Sequence, residues 1–180
     1  MESFNKILER GTATTEEAMK LFDQLDVVGL DCMIGRWCGS GFHTNHPLDG
    51  LLEAFNWYGK EFIDAENVHP LLFVDNKGNV FSVNPRLVPI NLIIRFPVLP
   101  GNAIMKRLFL SMKWMLKTDK PGARIRMMEY RGKVSAAMIY DNLPIVDIFR
   151  KVDDGTLLGV MDLKGMKQPF FFVLKREESA

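Results

Sequence analysis

The chain has 180 residues, of which 47% are hydrophobic and 25% are charged. This length and composition allow one substantial core and exclude general disorder. The formal net charge of +1 leaves no overall field that would attract nucleic acid, so we expect no nucleic-acid partner. No apolar run approaches the roughly 18 residues that span a bilayer, and the first residues do not resemble a signal peptide. We therefore expect a cytoplasmic protein without a transmembrane segment.

The first part of the chain predicts a helix followed by a glycine-rich strand. Residues 15–25 begin with a capping threonine followed by acidic side chains, and apolar positions repeat at helical spacing. In the next segment, residues 33–42, the period of a strand places Gly35, Trp37 and Gly39 on one face. Because glycine has no side chain to pack, this pattern indicates a bent strand or a close backbone approach around the indole. It is typical of an early strand in a closed barrel, and we assign these three residues a structural role.

The middle of the chain predicts two inserted helices among short strands. Helical spacing of apolar residues predicts helices at 48–57 and 103–117, which could cover one end of a sheet as a lid. Strands are expected at 60–63, 71–74, 79–83 and 91–96.

The last third predicts an antiparallel meander with strands at 123–130, 133–140, 145–153, 156–164 and 169–176. If each tight turn has two residues, the first hairpin places Glu129 and Tyr140 on an otherwise apolar interior face. The second hairpin then places Asp147 opposite Asp162, and Arg150 within an apolar face opposite a glycine. We expect a single domain over 1–180, composed of a helical segment 1–30, a half 31–100, a helix and linker 101–122, and the meander 123–178.

The predicted interior is apolar, with a few polar residues that could contact a ligand. The chain has 13 Phe and 11 Met, which supply adaptable walls for a cavity, although the same residues could simply fill a core. The leading hypothesis is binding of an apolar small molecule, resembling a fatty acid, a terpenoid or a polyketide. The candidate contacts are Trp57, Lys60, Glu129, Tyr140 and Arg150.

An alternative hypothesis is a cofactor-free isomerase, lyase or cyclase. Paired carboxylates, tyrosine and histidine can act as acids and bases when burial separates their pKa values. The candidates are Tyr140, Asp147, Asp162 and His46. The chain has no phosphate-binding glycine loop and no nucleophile elbow, so nucleotide and hydrolase chemistry lack their usual motifs. We expect no cofactor, and a homodimer is a third possibility.

Cysteine and histidine residues near the glycine-rich strand superficially suggest zinc. Cys32, Cys38, His43 and His46 fit no familiar zinc-finger spacing, and two cysteines at opposite ends of one strand cannot reach the same ion. We therefore expect neither a metal site nor a disulfide in this segment.

Two segments resemble a known bacterial and fungal group of proteins. The run Ile34–Phe42, with its glycine–tryptophan–glycine pattern, and the later His46-Pro47 and Gly59-Lys60 resemble the GXWXG family. The segment from Arg126 to Gly132, together with many positions up to Phe171, resembles the domain of unknown function that usually follows it. The group implies no established activity.

The opening motif is also similar to that of calycins, the superfamily that includes lipocalins. That resemblance implies an α+β, mostly antiparallel, calycin-like β-barrel with an N-terminal helix and two inserted helices. It also implies that a basic residue of the last strand, Arg176 or Lys175, covers Trp37. Nitrobindin-like haem barrels share a similar start, which leaves a haem- or metal-binding barrel as a further alternative. Their iron ligand is a late histidine, whereas this chain has no histidine after His69.

Overall fold

The structure is a computed structural model and describes residues 6, 7, 10–90, 93 and 103–178. The helices with defined bounds are α1 (Thr15–Gln24), α2 (Leu30–Met33), α3 (Leu51–Ala54), α4 (Ala103–Ser111) and α5 (Lys113–Leu116), with a 3₁₀ turn at Pro85–Leu87. The strands are β1 (Asp26–Val27), β2 (Gly35–Phe42), β3 (Trp57–Phe62), β4 (Val68–Val74), β5 (Val80–Ser82), β6 (Ala123–Tyr130), β7 (Lys133–Tyr140), β8 (Ile145–Asp153), β9 (Thr156–Leu163) and β10 (Phe170–Arg176). No helix in the described residues is both long enough and apolar enough to cross a membrane.

The strands pair in an antiparallel ring. The order is β8-β7-β6-β4-β3-β2-β10-β9, and β9 pairs again with β8, while β1 and β5 lie outside this path on β8 and β4. The β2–β10 joint is long, running from the Trp37–Arg176 pair to the Phe42–Phe171 pair. The β4–β6 joint is the single pair Val68–Ala123. The fold is thus α+β with a mostly antiparallel sheet, as the sequence predicted.

The predicted elements agree best with the structure in the last third of the chain. The first hairpin has the expected register, from Ala123–Tyr140 to Tyr130–Lys133. The helix expected at 48–57 is wrong in extent, because Asn56 adopts a positive φ of 58° directly after α3, and β3 begins at the next residue. The helix expected at 103–117 is interrupted at Met112, between α4 and α5. The strand expected at 91–96 lies outside the described residues.

The register predicted for the second hairpin is wrong by one residue. The turn itself pairs Asp153 with Thr156, but the register shifts between Lys151 and Asp153. A bulge adds one residue to one strand, so every pair beyond it is displaced. Asp147 therefore faces Met161 instead of Asp162, and Arg150 faces Leu158 instead of Gly159.

Apolar residues pack on both faces of the sheet. The inner face carries the larger cluster, which includes Trp37, Phe62 and Phe172. On the outer face, α1 packs its buried Phe22 against a second cluster from β8, β9 and β10. A capping box between Thr14 and Glu17 begins α1, so its first backbone N–H groups are satisfied.

One end of the ring is closed around Trp37. The indole is 1% exposed, and its Nε1 donates to the carbonyl of Met33 at 2.8 Å. The guanidinium of Arg176 lies 4.3 Å from the ring centroid and donates to the carbonyls of Ile34 and Cys32. Arg176 and not Lys175 is therefore the residue that covers Trp37. Both cysteines are free, and Cys32 lies in α2, which corrects its placement on the glycine-rich strand.

Candidate functional site

A cavity of about 370 Å³ lies between the inner face of the sheet and the helices α3, α4 and α5. This volume is at the lower end of the usual range for small-molecule sites, about 300–1,000 Å³. The walls are almost entirely apolar. They are formed by Leu48, Leu51, Leu52, Phe55, Trp57, Leu71, Phe73, Val83, Leu87, Val88, Pro89, Ile90, Ile93, Leu108, Phe109, Met112, Leu116, Leu143, Ile145, Met161, Phe170 and Phe172.

Three polar side chains also line the cavity, and they form one cluster. Lys60 Nζ lies 2.8 Å from Asp147 Oδ2, and both side chains are almost fully buried, at 3% and 2% exposure. The same nitrogen lies 3.4 Å from the hydroxyl of Tyr140 and 3.2 Å from the carbonyl of Pro70. The ammonium is also 5.0 Å from the centroid of the Phe172 ring, which adds a cation–π contact.

The cluster joins opposite sides of the ring. Lys60 comes from β3, whereas Tyr140 ends β7 and Asp147 lies on the neighbouring β8. Met138 is the pairing partner of Asp147 and lies two residues before Tyr140. The side chains of Met138, Tyr140 and Asp147 therefore lie on the same, inner face. The ion pair therefore crosses the interior instead of following one strand pair.

An irregularity at Gly59 brings Trp57 and Lys60 to the same face. Strict alternation along β3 would place these two residues on opposite faces. The β3–β4 register shifts on both sides of Gly59, which has a positive φ of 145°. A Cβ at Gly59 would lie 1.9 Å from the carbonyl oxygen of Trp37, so only glycine fits. The bulge therefore turns the Lys60 side chain into the cavity.

Gly39 makes room for the indole of Trp57, which forms one wall of the cavity. A Cβ at this position would lie 2.2 Å from Cζ3 of Trp57, so the benzo edge of that indole rests on the backbone of β2. The pyrrole edge, with Nε1, is consequently directed away from β2. Phe172 sits in the same way on Gly159, where a Cβ would meet the phenyl ring at 2.4 Å.

Burial dominates the electrostatics of the cluster. It raises the pKa of the Asp147 carboxyl, and the neighbouring Lys60 ammonium offsets part of that rise. Burial also raises the pKa of Tyr140 well above its ordinary value, and the Asp147 charge adds to this effect. Tyr140 therefore keeps its proton at neutral pH and can act as a hydrogen-bond donor.

Two buried polar atoms of the site have no hydrogen-bond partner among the residues that the structure describes. They are Oδ1 of Asp147, the oxygen that does not contact Lys60, and Nε1 of Trp57. Such atoms are rare in folded proteins, because leaving one unsatisfied costs about 1–3 kcal/mol. The cavity thus contains an unused acceptor and an unused donor at its polar end.

Two predicted ligand contacts lie elsewhere. Glu129 is exposed near the β6–β7 turn, because the hairpin extends beyond the packed interior. Arg150 is 1% exposed but lies on the outer face, with its guanidinium 4.9 Å from the ring of Phe22. Its Nη2 donates to the carbonyls of Tyr130 and Lys133. The bulge that displaced the second hairpin accounts for this placement.

Two catalytic candidates also lie outside the cavity. Asp162 is exposed and pairs with Val146, so the predicted Asp147–Asp162 couple does not form. His46 is buried, but its Nδ1 accepts from the backbone N–H of Leu48. Its Nε2 then carries the proton and donates to the sulfur of Met166 at 3.0 Å.

Metal-binding side chains do not converge in the described part of the chain. No group of three or more His, Cys, Asp or Glu residues is placed to hold an ion there. The described lining of the cavity contains neither histidine nor cysteine. A haem held through a side chain of either type is not supported by this arrangement.

Sequence reasoning named Trp57, Lys60 and Tyr140 as ligand contacts and Asp147 with Tyr140 as catalytic candidates, but it did not pair Lys60 with Asp147. Gly59 is the sequence signal for the bulge that turns Lys60 inward, because a glycine within a strand often marks a bulge. The register shift between Lys151 and Asp153, which places Asp147 on the inner face, has no such signal. The role of Phe172 as a wall is similarly indicated by Gly159, a glycine in the strand that pairs with it.

Comparisons with known proteins are consistent with the described fold. The GXWXG protein model matches residues 20–78, and the model of a domain of unknown function, DUF4334, matches residues 121–176. No curated protein shows significant similarity to the chain. The crystal structure of a protein from Thermomonospora curvata is 34% identical, with a TM-score of 0.72, over 97% of this chain and 95% of that one. The chain therefore belongs to the GXWXG family, with the DUF4334 domain as its C-terminal half.

Proposed function

We propose that the protein binds a mostly apolar small molecule in the cavity beneath α3, α4 and α5. The observation that carries the proposal is an apolar cavity of about 370 Å³ with one buried polar cluster at its wall. Sites of this kind use apolar walls for affinity and a few polar groups for orientation. The three helices act as the cover under which the ligand lies.

We also infer that the ring is a calycin-like barrel and that the protein is cytoplasmic. The closed strand order and the Arg176–Trp37 contact at one end support the first inference. The free Cys32 and Cys38 support the second, because reduced thiols are typical of reducing compartments.

Thermal unfolding with added ligands tests the binding proposal. At a ligand concentration about 100-fold above Kd, binding adds about 2.7 kcal/mol of stability, which corresponds to roughly 5–10 °C for a chain of this size. We expect such a rise with at least one compound among decane, 1-decanol, decanoic acid and geraniol. No rise with any of the four compounds would overturn the proposal.

A matched pair of variants locates the binding site. Met161→Trp places a large side chain in the cavity, and it should abolish the ligand-induced rise in Tm. Met127→Trp makes the same chemical change at a position that is 44% exposed and outside the cavity. It should leave the rise unchanged, and equal losses in both variants would argue against the cavity as the site.

Proton-transfer catalysis is a second candidate function. Asp147 and Tyr140 both contact Lys60 Nζ at the wall of an apolar cavity, and burial raises the pKa of both side chains. A carboxylate with a raised pKa is a stronger base, and the Tyr140 hydroxyl could donate to a developing enolate oxygen. This arrangement suits a cofactor-free isomerase or lyase that removes a proton next to a carbonyl group.

Deuterium exchange tests this second candidate. Apolar ketones such as 2-decanone are incubated with the protein in D₂O, and label at the α-carbon is measured by mass spectrometry. We expect faster exchange than in buffer and loss of the acceleration in Asp147→Asn. A rate equal to that of buffer for every ketone tested removes the catalytic hypothesis but not the binding one.

A homodimer is a third candidate, supported by apolar side chains on the outer surface of α5. Trp114 is 82% exposed, and Met115 is 45% exposed. Exposed clusters of this kind commonly mark association sites. Sedimentation of the wild-type protein should show a dimer that Trp114→Glu converts to a monomer. A monomeric wild-type protein at high concentration would exclude this dimer.

A further inference from the structure

The hydrogen bonds of Lys60 are fully assigned within the protein. A lysine ammonium has three donors and no acceptor. Its three neighbours, Asp147 Oδ2 at 2.8 Å, Pro70 O at 3.2 Å and Tyr140 Oη at 3.4 Å, account for all three. Lys60 therefore has no donor left for a ligand, so the polar contacts of a ligand must come from the other polar side chains of the described lining, Asp147, Tyr140 and Trp57.

Two of the neighbours of Lys60, Asp147 and Tyr140, each retain one unused hydrogen-bonding group. Asp147 Oδ1 is buried and has no partner in the described part of the chain, so it can accept a hydrogen bond. The Tyr140 oxygen accepts from Lys60, which leaves its O–H without an acceptor among the described residues. Both side chains line the cavity. The polar end thus presents an acceptor and a donor close to the same ammonium.

We propose that the natural ligand is an apolar alcohol whose hydroxyl donates to Asp147 Oδ1 and accepts from the Tyr140 O–H. This inference rests on the proposed binding function. A hydroxyl is the smallest group that donates and accepts through one atom. An ether or a ketone only accepts, so it would leave Asp147 Oδ1 unsatisfied in the bound state.

Charge disfavours a carboxylate ligand at this position. The Lys60 and Asp147 charges already balance each other, and both side chains are almost fully buried. A fatty-acid carboxylate would bring a second anion beside Asp147 without a further cation in the described lining. Like charges in a buried site oppose ionisation, so binding would require protonation of one carboxyl. The site therefore selects a neutral head group.

The cavity also limits the size of the alcohol. A cavity of about 370 Å³ lies within the range of small-molecule sites, so an alcohol of about a dozen non-hydrogen atoms has a suitable size. Beyond the polar cluster the described walls are apolar, which requires a hydrocarbon body. Straight-chain alcohols of about ten carbons and monoterpenoid alcohols meet both conditions.

A matched series of ligands tests the head group on the wild-type protein. Isothermal titration calorimetry at pH 7.5 compares 1-decanol, decyl methyl ether, decanoic acid and decane, which share one chain. We expect 1-decanol to bind at least about tenfold more tightly than the other three compounds, because only it satisfies both functions. Equal or tighter binding of the ether, the acid or the alkane would overturn the alcohol assignment while leaving the binding function intact. Binding of none of the compounds would overturn both.

Variants identify the side chains that form hydrogen bonds with the hydroxyl of the ligand. Tyr140→Phe should weaken 1-decanol severalfold, whereas Tyr58→Phe, whose hydroxyl instead bonds Glu177, should leave binding unchanged. Asp147→Asn should reduce the preference for 1-decanol over the ether. If that variant does not fold, the ligand series and the tyrosine pair decide the question. An unchanged affinity of Tyr140→Phe for 1-decanol would contradict the proposed contact.

Discussion

The buried ion pair of Lys60 and Asp147 is weak evidence for a gain in folding stability. Removing two charges from water costs several kcal/mol per ion, and the attraction between them restores only part of that cost. Here the pair also has an oxygen, Asp147 Oδ1, without a partner. A site that served stability alone would be better filled by apolar side chains. The proposed ligand would give Asp147 Oδ1 the partner that it lacks among the described residues.

A single and a double variant of this pair measure how much the pair contributes to the stability of the fold. Asp147→Leu leaves the Lys60 ammonium buried without a counter-ion, and we expect a loss of about 3–5 kcal/mol. The double variant Lys60→Met, Asp147→Leu should recover most of that loss. Urea unfolding monitored by circular dichroism measures each free energy. A double variant as unstable as the single one would show that the pair is required for folding.

His46 predicts a specific dependence of stability on pH. Burial lowers the pKa of this imidazole below its ordinary value of 6.5, although the nearby Asp49 opposes the shift. The unfolded chain therefore binds a proton at a higher pH than the folded one. Its contribution to stability is present above pH 6.5 and is lost as the pH falls through the lowered pKa.

The matched variant is His46→Asn, whose Oδ1 can replace Nδ1 as the acceptor for Leu48 N–H. Urea unfolding between pH 7.5 and 5 should show a smaller loss of stability on acidification in this variant than in the wild-type protein. Parallel curves for the two proteins would mean that His46 does not titrate in the predicted direction.

At the scale of strands, alternation predicted the fold well and bulges limited the prediction of the site. The first hairpin has no irregularity, so its register and its inward-facing Tyr140 followed from the sequence. The bulge at Lys151–Asp153 changed the predicted face of Asp147, whereas the bulge around Gly59 places Lys60, a predicted contact, on the same face as Trp57. A bulge depends on how two strands meet in three dimensions, whereas period-2 alternation depends on one strand alone.

Gly59 should therefore be among the most sensitive positions of the sheet. Gly59→Ala combines a backbone clash at 1.9 Å with a positive φ of 145°, and we expect a loss of roughly 3 kcal/mol or more. The control is Gly29→Ala, where a Cβ meets nothing within 4 Å and φ is negative. That change should stay within about 0.5 kcal/mol of the wild-type protein. Similar free energies of unfolding for the two variants would contradict the role assigned to Gly59.

The whole molecule depends on both halves of the chain. The GXWXG half supplies β1 to β4, and the DUF4334 half supplies β6 to β10. The two halves meet along β2–β10, at the short β4–β6 joint and at β1–β8. Neither half can close the ring alone, because each would expose the backbone of an edge strand.

Separate expression of the halves tests this dependence. Residues 1–100 and residues 101–180 should each be insoluble or disordered when produced alone. Co-expression should yield a complex with the far-ultraviolet circular dichroism of the full chain. A folded, monomeric half with a cooperative thermal transition would show that the halves are independent domains.

The long β2–β10 joint also has a consequence for the chain during synthesis. β2 emerges from the ribosome well before its partner β10, so its backbone edge is unpaired during most of translation. Segments that form amyloid-like sheets are apolar and contain few glycines. The three glycines of β2, Gly35, Gly39 and Gly41, lower that tendency in the nascent chain. Gly39, which admits the indole of Trp57 in the finished ring, is thus one of three glycines that make the unfinished chain less prone to intermolecular pairing.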